Sequence, residues 1–144
     1  MYKKVLLCHD GSSAGRMALK RGAELAIHLR AHVDVLLIVS AAASQAAITA
    51  AALGHPCVTG DDGESRRSLE ESVARLRGRG VEADGHLAQG NTIQVIAEHA
   101  RKLGTDLIVV GHYPQPTGGR WWSGGDRNSL AECVKCSVLI AQAD

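Results

Sequence analysis

A glycine-rich stretch after a short apolar run carries the residue types that could bind a phosphate group. The run Leu107–Val110 is apolar and rich in β-branched residues, as expected of a buried strand, and Gly111 interrupts it. Before a helical pattern resumes near Asp126, the chain contains Pro114, Pro116, Gly118, Gly119, Gly124 and Gly125. In α/β proteins a strand that leads through glycines into a helix binds anions, because free N–H groups at the helix start point at the ligand. The stretch 106–126 therefore predicts an anion-binding loop.

Two other nucleotide motifs are disfavoured by their surroundings. The segment Gly78–Ala83 fits the dinucleotide pattern GxGxxA, but it follows a helical pattern and precedes a strand, which reverses the required order. The segment Gly119–Gly124 is followed by Gly125 and Asp126, where a Walker A loop needs a lysine and a hydroxyl residue. We interpret the first segment as a helix stop and expect no Walker A site.

Cysteine and histidine residues raise three further kinds of chemistry. Cys133 and Cys136 have CxxC spacing and leave a thiol-redox function open, although their place at a helix end favours structural burial. His9 and Asp10 could form part of a hydrolase triad, but neighbours on an extended strand face opposite sides, so we expect no catalytic residues. A zinc site at the CxxC pair would need further cysteine or histidine ligands brought close to it, so no metal site is predicted, and His86 and His99 are expected at the surface.

The elements that must position these residues alternate between strand and helix patterns. Strands are predicted at 4–9, 33–39, 81–88, 107–110 and 137–141, and helices at 14–29, 64–77, about 91–103 and 128–134. Asn91 or Thr92 is the expected cap of the third helix. A mobile connector is expected over about 41–63, and its end at 60–63 reads as a loop. The chain 1–144 is predicted to form one domain.

The βαβαβαβαβ order predicts an α/β fold. We expect a single-domain open sheet of five mainly parallel strands with helices on both faces. In such sheets the ligand crevice lies beyond the carboxyl ends of the strands, where the strand order reverses. Asp10, Val39 and Gly111 all lie at carboxyl ends of predicted strands. These three residues are therefore expected to share one crevice.

The composition narrows the classes of function. The formal net charge is +1 and aromatic residues make up 3% of the chain, so nucleic acid is not an expected partner. No apolar run reaches the length of a membrane span, and the first one ends at Cys8, which is too short for a signal peptide. Four cysteines in 144 residues do not make a disulfide scaffold. We expect a cytoplasmic protein that is bound neither to membrane nor to nucleic acid.

Four motifs in order give the chain a resemblance to the universal stress proteins of the UspA-like family. They are Val5–Ser12, which ends in Asp-Gly-Ser, then Gly90–Thr92, Asp106–Gly111 and Cys136–Ala141. The resemblance covers nearly the whole chain and implies a Rossmann-like fold of the adenine nucleotide alpha hydrolase kind. It also implies a homodimer formed through the C-terminal strand, whose short apolar sequence suits a sheet edge.

The resemblance further implies a nucleotide loop in which Gly-x2-Gly-x9-Gly is followed by serine or threonine. Gly111 and Gly124 fit this pattern, whereas Pro114 replaces the second glycine and Gly125 replaces the hydroxyl residue. Proline has no backbone N–H and a fixed φ, so the loop should hold phosphate less well. Arg127 could contact phosphate as a charged fork or pair with a nearby carboxylate.

The nucleotide-contacting positions that the resemblance implies are Asp10, Val39, Gly111, Gly124, Gly125 and Arg127. The implied ligands are ATP or AMP, with Mg²⁺. Because the loop is degenerate, our first hypothesis is a non-enzymatic binding or regulatory module of the stress response. The second is an adenine nucleotide switch with at most weak ATPase activity, and the third is a thiol-redox protein that uses Cys133 and Cys136.

Overall fold

The computed structural model of the protein describes residues 1–10, 13–40, 60–112 and 130–142. Its sheet has five strands, β1 (Lys4–His9), β2 (His32–Ser40), β3 (Ala83–Gly90), β4 (Leu107–His112) and β5 (Ser137–Gln142). Their spatial order is β3-β2-β1-β4-β5, and all neighbouring strands are parallel. The predicted open parallel sheet is confirmed.

Helices cover both faces of the sheet. They are α1 (Ser13–Leu29), α2 (Gly60–Gly78) and α3 (Thr92–Leu103), and residues 130–133 are also helical. Strand β1 shows how the faces divide, because its side chains alternate between them. Val5 and Leu7 pack in the cluster that contains residues of α1 and α2, whereas Leu6 and Cys8 pack with α3 and Leu130. The central strand is thus buried on both sides, which explains its unbroken apolar sequence.

Asp106 joins three strands at the amino edge of the sheet. Its Oδ2 accepts a hydrogen bond from Lys3 N at 2.8 Å, and its Oδ1 accepts one from Lys4 N at 3.0 Å. Its own N–H donates to Lys4 O at 3.0 Å, and its carbonyl accepts from Ser137 N at 3.2 Å. One residue therefore fixes the starts of β1, β4 and β5 relative to one another.

The structure departs from the sequence prediction at the two ends of α2. Residues 60–63 were predicted as a loop, which is wrong, because α2 begins at Gly60. Glycine and aspartate are poor interior residues of helices, but a first turn tolerates them, since its N–H groups need no intrahelical acceptor and favour nearby negative charge. Of the predicted connector at about 41–63, the part 41–59 lies outside the described residues.

Strand β3 begins two residues later than the predicted start at Val81. The N–H of Val81 donates to Leu76 O at 3.1 Å, so its backbone belongs to the turn that ends α2. Its side chain is nevertheless buried, as its apolar character predicted. For α3 the Asn91 cap is confirmed, because its side chain accepts from Gln94 N at 3.2 Å.

Candidate functional site

The strand order creates a crevice position at the carboxyl edge between β1 and β4. The chain passes from β1 to β2 and β3 on one side, and then returns to β4 and β5 on the other side of β1. Cys8 pairs with Val110, so the next residues, His9 and Gly111, lie level at this edge, and Asp10 follows directly. Ligands of open α/β sheets bind where the order reverses in this way. Asp10 and Gly111 therefore flank the position that the topology favours.

Val39 lies at the same edge on the neighbouring strand. His9 pairs with Leu37 of β2, so Val39 lies two residues beyond His9 along the strand direction. It is half-buried near the end of β2. The sheet thus brings Asp10, Val39 and Gly111 to one edge on three adjacent strands, as expected from the sequence. Of the other site residues from the sequence, Gly124, Gly125 and Arg127 lie outside the described residues.

Gly15 allows the start of α1 to approach the end of β1 closely. A Cβ atom at Gly15 would lie 2.7 Å from His9 Cβ and 3.3 Å from Asp10 Oδ1. Since His9 Cβ is attached directly to the backbone of β1, a larger residue would force the helix away. Glycine at this position therefore keeps the carboxylate of Asp10 beside the first turns of α1.

His9 is buried at the edge of the crevice. Its exposed fraction is 1%, and neither Nδ1 nor Nε2 has a hydrogen-bond partner among the described residues. Burial lowers the pKa of His9 from 6.5 to about 4; the charge of Asp10 opposes this shift and that of Arg16 adds to it. The ring is therefore neutral at pH 7. It makes no Asp–His pair with Asp10, so the geometry of a hydrolase triad is not formed here.

A cavity of about 540 Å³ between α1 and α2 borders His9. Its charged lining residues are Arg16, Lys20, Arg75, Arg79 and Glu71. Cations are in excess on this lining. Of their charges, that of Arg16 opposes protonation of His9 in the same sense as burial.

Two of the described cysteines, Cys8 and Cys136, lack the properties of a redox thiol. Cys133 is the last of the described helical residues 130–133, and Cys136 directly precedes β5, as the sequence predicted. Burial raises the pKa of Cys136, and burial on β1 strongly raises the pKa of Cys8. Reactive thiols need a lowered pKa instead. The thiol-redox hypothesis gains no support.

Sequence reasoning missed a group of polar residues at the opposite end of the sheet. His86 and His99, which were expected as separate surface residues, are half-buried, and their ring centroids are 6.0 Å apart. His86 Nε2 also donates to Asp34 Oδ1 at 2.9 Å. A usable signal was present, because His32-Val-Asp34 and Asp84-Gly-His86 are alternating pairs in consecutive strands.

Known proteins resemble this chain along its whole length. The universal stress protein YxiE of Bacillus subtilis (strain 168) is 25% identical over 152 residues, which cover 99% of this chain and 100% of that protein. A universal stress protein solved in complex with cAMP has a TM-score of 0.69 at 19% identity, with 98% of this chain and 97% of that one covered.

A third similar protein, the universal stress protein from Archaeoglobus fulgidus in complex with dAMP, has a TM-score of 0.61 at 16% identity over 97% of both chains. Among the described residues, no helix combines the length and apolar character needed to span a bilayer.

The model of the universal stress protein family matches residues 1–142. With this match over the observed β3-β2-β1-β4-β5 sheet, the chain belongs to the universal stress protein family.

Proposed function

We propose that this universal stress protein binds an adenine nucleotide at the carboxyl edge of its sheet and acts through binding rather than turnover. The observation that carries the proposal is the convergence of Asp10, Val39 and Gly111 around the β1/β4 reversal point. Similar proteins have been solved with cAMP and with dAMP, which supports an adenine nucleotide as the ligand class. We place this activity in the cytoplasm.

We further propose that affinity comes mainly from the nucleoside side of the crevice. The carboxylate of Asp10 suits a ribose hydroxyl, and the half-buried side chain of Val39 suits an apolar base face. On the phosphate side, Pro114 has no N–H to donate and Gly125 has no hydroxyl for phosphate or Mg²⁺. A monophosphate should therefore bind about as well as a triphosphate, and hydrolysis should be at most weak.

Titration calorimetry with AMP and with ATP plus Mg²⁺ tests this proposal. We expect saturable binding of both nucleotides, with dissociation constants within about threefold, because the β- and γ-phosphates gain few contacts. Asp10→Ala should weaken both about tenfold, since one charge-assisted hydrogen bond contributes about 1.5 kcal/mol. Absence of saturable binding, or ATP binding far tighter than AMP, would contradict the proposal.

A repaired loop supplies the matched control for the phosphate side. The double substitution Pro114→Gly and Gly125→Ser restores one backbone donor and one hydroxyl at the positions that differ from the family pattern. It should tighten ATP binding at least about tenfold and leave AMP binding nearly unchanged. An equal gain for both nucleotides would show that the loop does not select against the triphosphate.

We also propose a homodimer formed through β5. This strand is an outer strand of the described sheet, and it exposes 40% of Leu139 and 36% of Ile140. An apolar edge with free backbone groups invites pairing with a second copy.

Sedimentation of the native chain should give a dimer, and Leu139→Lys should raise the dimer dissociation constant at least about tenfold, because edge charges oppose strand pairing. Gln89→Lys, on the opposite outer strand β3, is the matched control and should leave the dimer intact. A native protein that sediments as a monomer at micromolar concentration would contradict this arrangement.

A further inference from the structure

We propose that His32, Asp34 and Asp84 form a binding site for one divalent metal ion of the zinc class. The site lies toward the amino end of β2 and β3, at the opposite end of these strands from the nucleotide crevice. It does not depend on the proposed nucleotide function.

Strand geometry brings the three side chains together. His32 and Asp34 are two residues apart on β2 and so project from the same face of the sheet. Asp34 pairs directly with Asp84 in the parallel register of β2 and β3. His32 Nε2 lies 3.6 Å from Asp34 Oδ1 and 3.2 Å from Asp84 Oδ2. One ligand atom from each residue lies within 4.8 Å of the others.

These separations suit a tetrahedral ion. Zinc bonds to imidazole nitrogen and carboxylate oxygen are about 2.0–2.1 Å long, so tetrahedral ligand atoms are about 3.3 Å apart. The two distances from His32 Nε2 lie on either side of this value. One nitrogen and two carboxylate oxygens suit zinc, cobalt or nickel better than Mg²⁺, which prefers six oxygen ligands. Three protein ligands leave a fourth position for water.

Two of the three proposed ligands, Asp34 and Asp84, are oriented by a hydrogen bond from a neighbouring side chain. His86 Nε2 donates to Asp34 Oδ1 at 2.9 Å, whereas Glu82 Oε2, at 3.9 Å from His32 Nδ1, adds negative charge without a hydrogen bond. Supporting contacts of this kind fix the orientation of metal ligands in known sites.

Asp84 is oriented through its second oxygen. Arg77 Nη2 lies 3.4 Å from Asp84 Oδ1, which leaves Oδ2 facing His32. Arg77 is itself held by a hydrogen bond from its Nε to Ala83 O at 2.9 Å. The arginine therefore positions Asp84 instead of filling the space between Asp84 and His32.

Burial and charge also favour a bound cation. The side chain of Asp34 is 7% exposed, and a buried carboxylate is costly unless opposite charge compensates it. The carboxylates Asp34, Asp84 and Glu82 lie around this group, whereas Arg77 is the one permanent cation that contacts it in the described part of the chain. Exposed fractions of 30% for the His32 side chain and 58% for that of Asp84 give an ion access from solvent.

Zinc titration of untagged, chelator-treated protein tests the site. Calorimetry with ZnCl₂ should show saturable binding of one ion, and Co²⁺ should give the visible absorption of a tetrahedral nitrogen and oxygen site. His32→Gln should weaken zinc binding about a hundredfold or more, because a ligand is lost, and Asp34→Asn should do the same. His86→Gln should weaken it by about 10–100-fold through loss of the supporting hydrogen bond.

Cys133→Ser is the matched control, and zinc affinity should not change in this variant, because its thiol is at the far edge of the sheet. Circular dichroism in chelator establishes that each variant is folded. His32→Gln, which alters a half-exposed side chain, keeps the test valid if Asp34→Asn does not fold. A purely structural hydrogen-bond network predicts no saturable zinc binding, and that result would overturn the proposal. Thiolate absorption in the Co²⁺ complex, or unchanged affinity in His32→Gln, would overturn it as well.

Discussion

Asp106→Ala is expected to lower the free energy of unfolding by about 3 kcal/mol, because two charge-assisted hydrogen bonds are lost together. The carboxylate accepts hydrogen bonds from Lys3 N and Lys4 N. Among the described residues, these two N–H groups have no other side-chain acceptor. Urea unfolding at neutral pH measures the change. The effect is partly reduced by solvent, since these bonds lie at an exposed edge.

Two further variants distinguish the loss of the two Asp106 hydrogen bonds, called the Asp106 clamp, from a general loss of negative charge. Asp106→Asn retains one acceptor oxygen and should lose about half as much stability as the alanine variant. Glu98→Ala removes an exposed carboxylate that pairs with Lys102 at 2.7 Å, and it should leave stability unchanged within error. Equal effects of Asp106→Ala and Glu98→Ala would show that the clamp contributes no more than a surface ion pair.

The native chain is expected to lose about 3 kcal/mol of unfolding free energy on acidification because of His9, and His9→Leu should abolish this loss. As the pH falls, His9 of the unfolded chain takes up a proton near 6.5, whereas the buried ring takes one up only near about 4. Between these values the unfolded state binds more protons, so the stability present above pH 6.5 is lost as the pH falls to about 4. The loss is about 1.4 kcal/mol per pH unit.

Unfolding curves collected from pH 7 down to about 4 measure this effect. The difference in unfolding free energy between His9→Leu and the native chain should grow in favour of the variant as the pH falls. Replacing a buried ring that has no hydrogen-bond partner among the described residues with an apolar side chain should also cost little at pH 7. His28→Gln, at an exposed site on α1, should keep the native pH dependence. Parallel pH profiles for His9→Leu and the native chain would refute the assignment.

Much of the fold could be predicted because its signals are local. The apolar sequence of β1 predicted a buried strand, and Asn91 predicted the start of α3. The ends of α2 could not be read in the same way. Propensity treats Gly60 as a helix breaker, although a first turn tolerates it, and the apolar Val81 suggested a strand where the backbone completes a helix turn.

The candidate sites differ in how far the sequence can define them. Asp10, Val39 and Gly111 could be grouped because any parallel sheet brings carboxyl ends of its strands to one edge. The grouping of His32, Asp34 and Asp84 depends on the register in which β2 pairs with β3, and no spacing along the chain encodes that register. The burial of His9 likewise depends on the approach of Gly15, which is a tertiary contact.

The central position of β1 determines the order in which the sheet can be completed during synthesis. β1 is the first of the five strands to be made, and it pairs with β2 soon afterwards, with Lys4 opposite His32. The other edge of β1 stays unpaired until β4 has been synthesised, when Val5 pairs with Leu107. Until then the nascent chain presents an apolar strand with one unpaired side, and such non-local parallel pairing is slow. On the ribosome, a strand that becomes fully buried in the described sheet therefore needs protection from aggregation until β4 has been made.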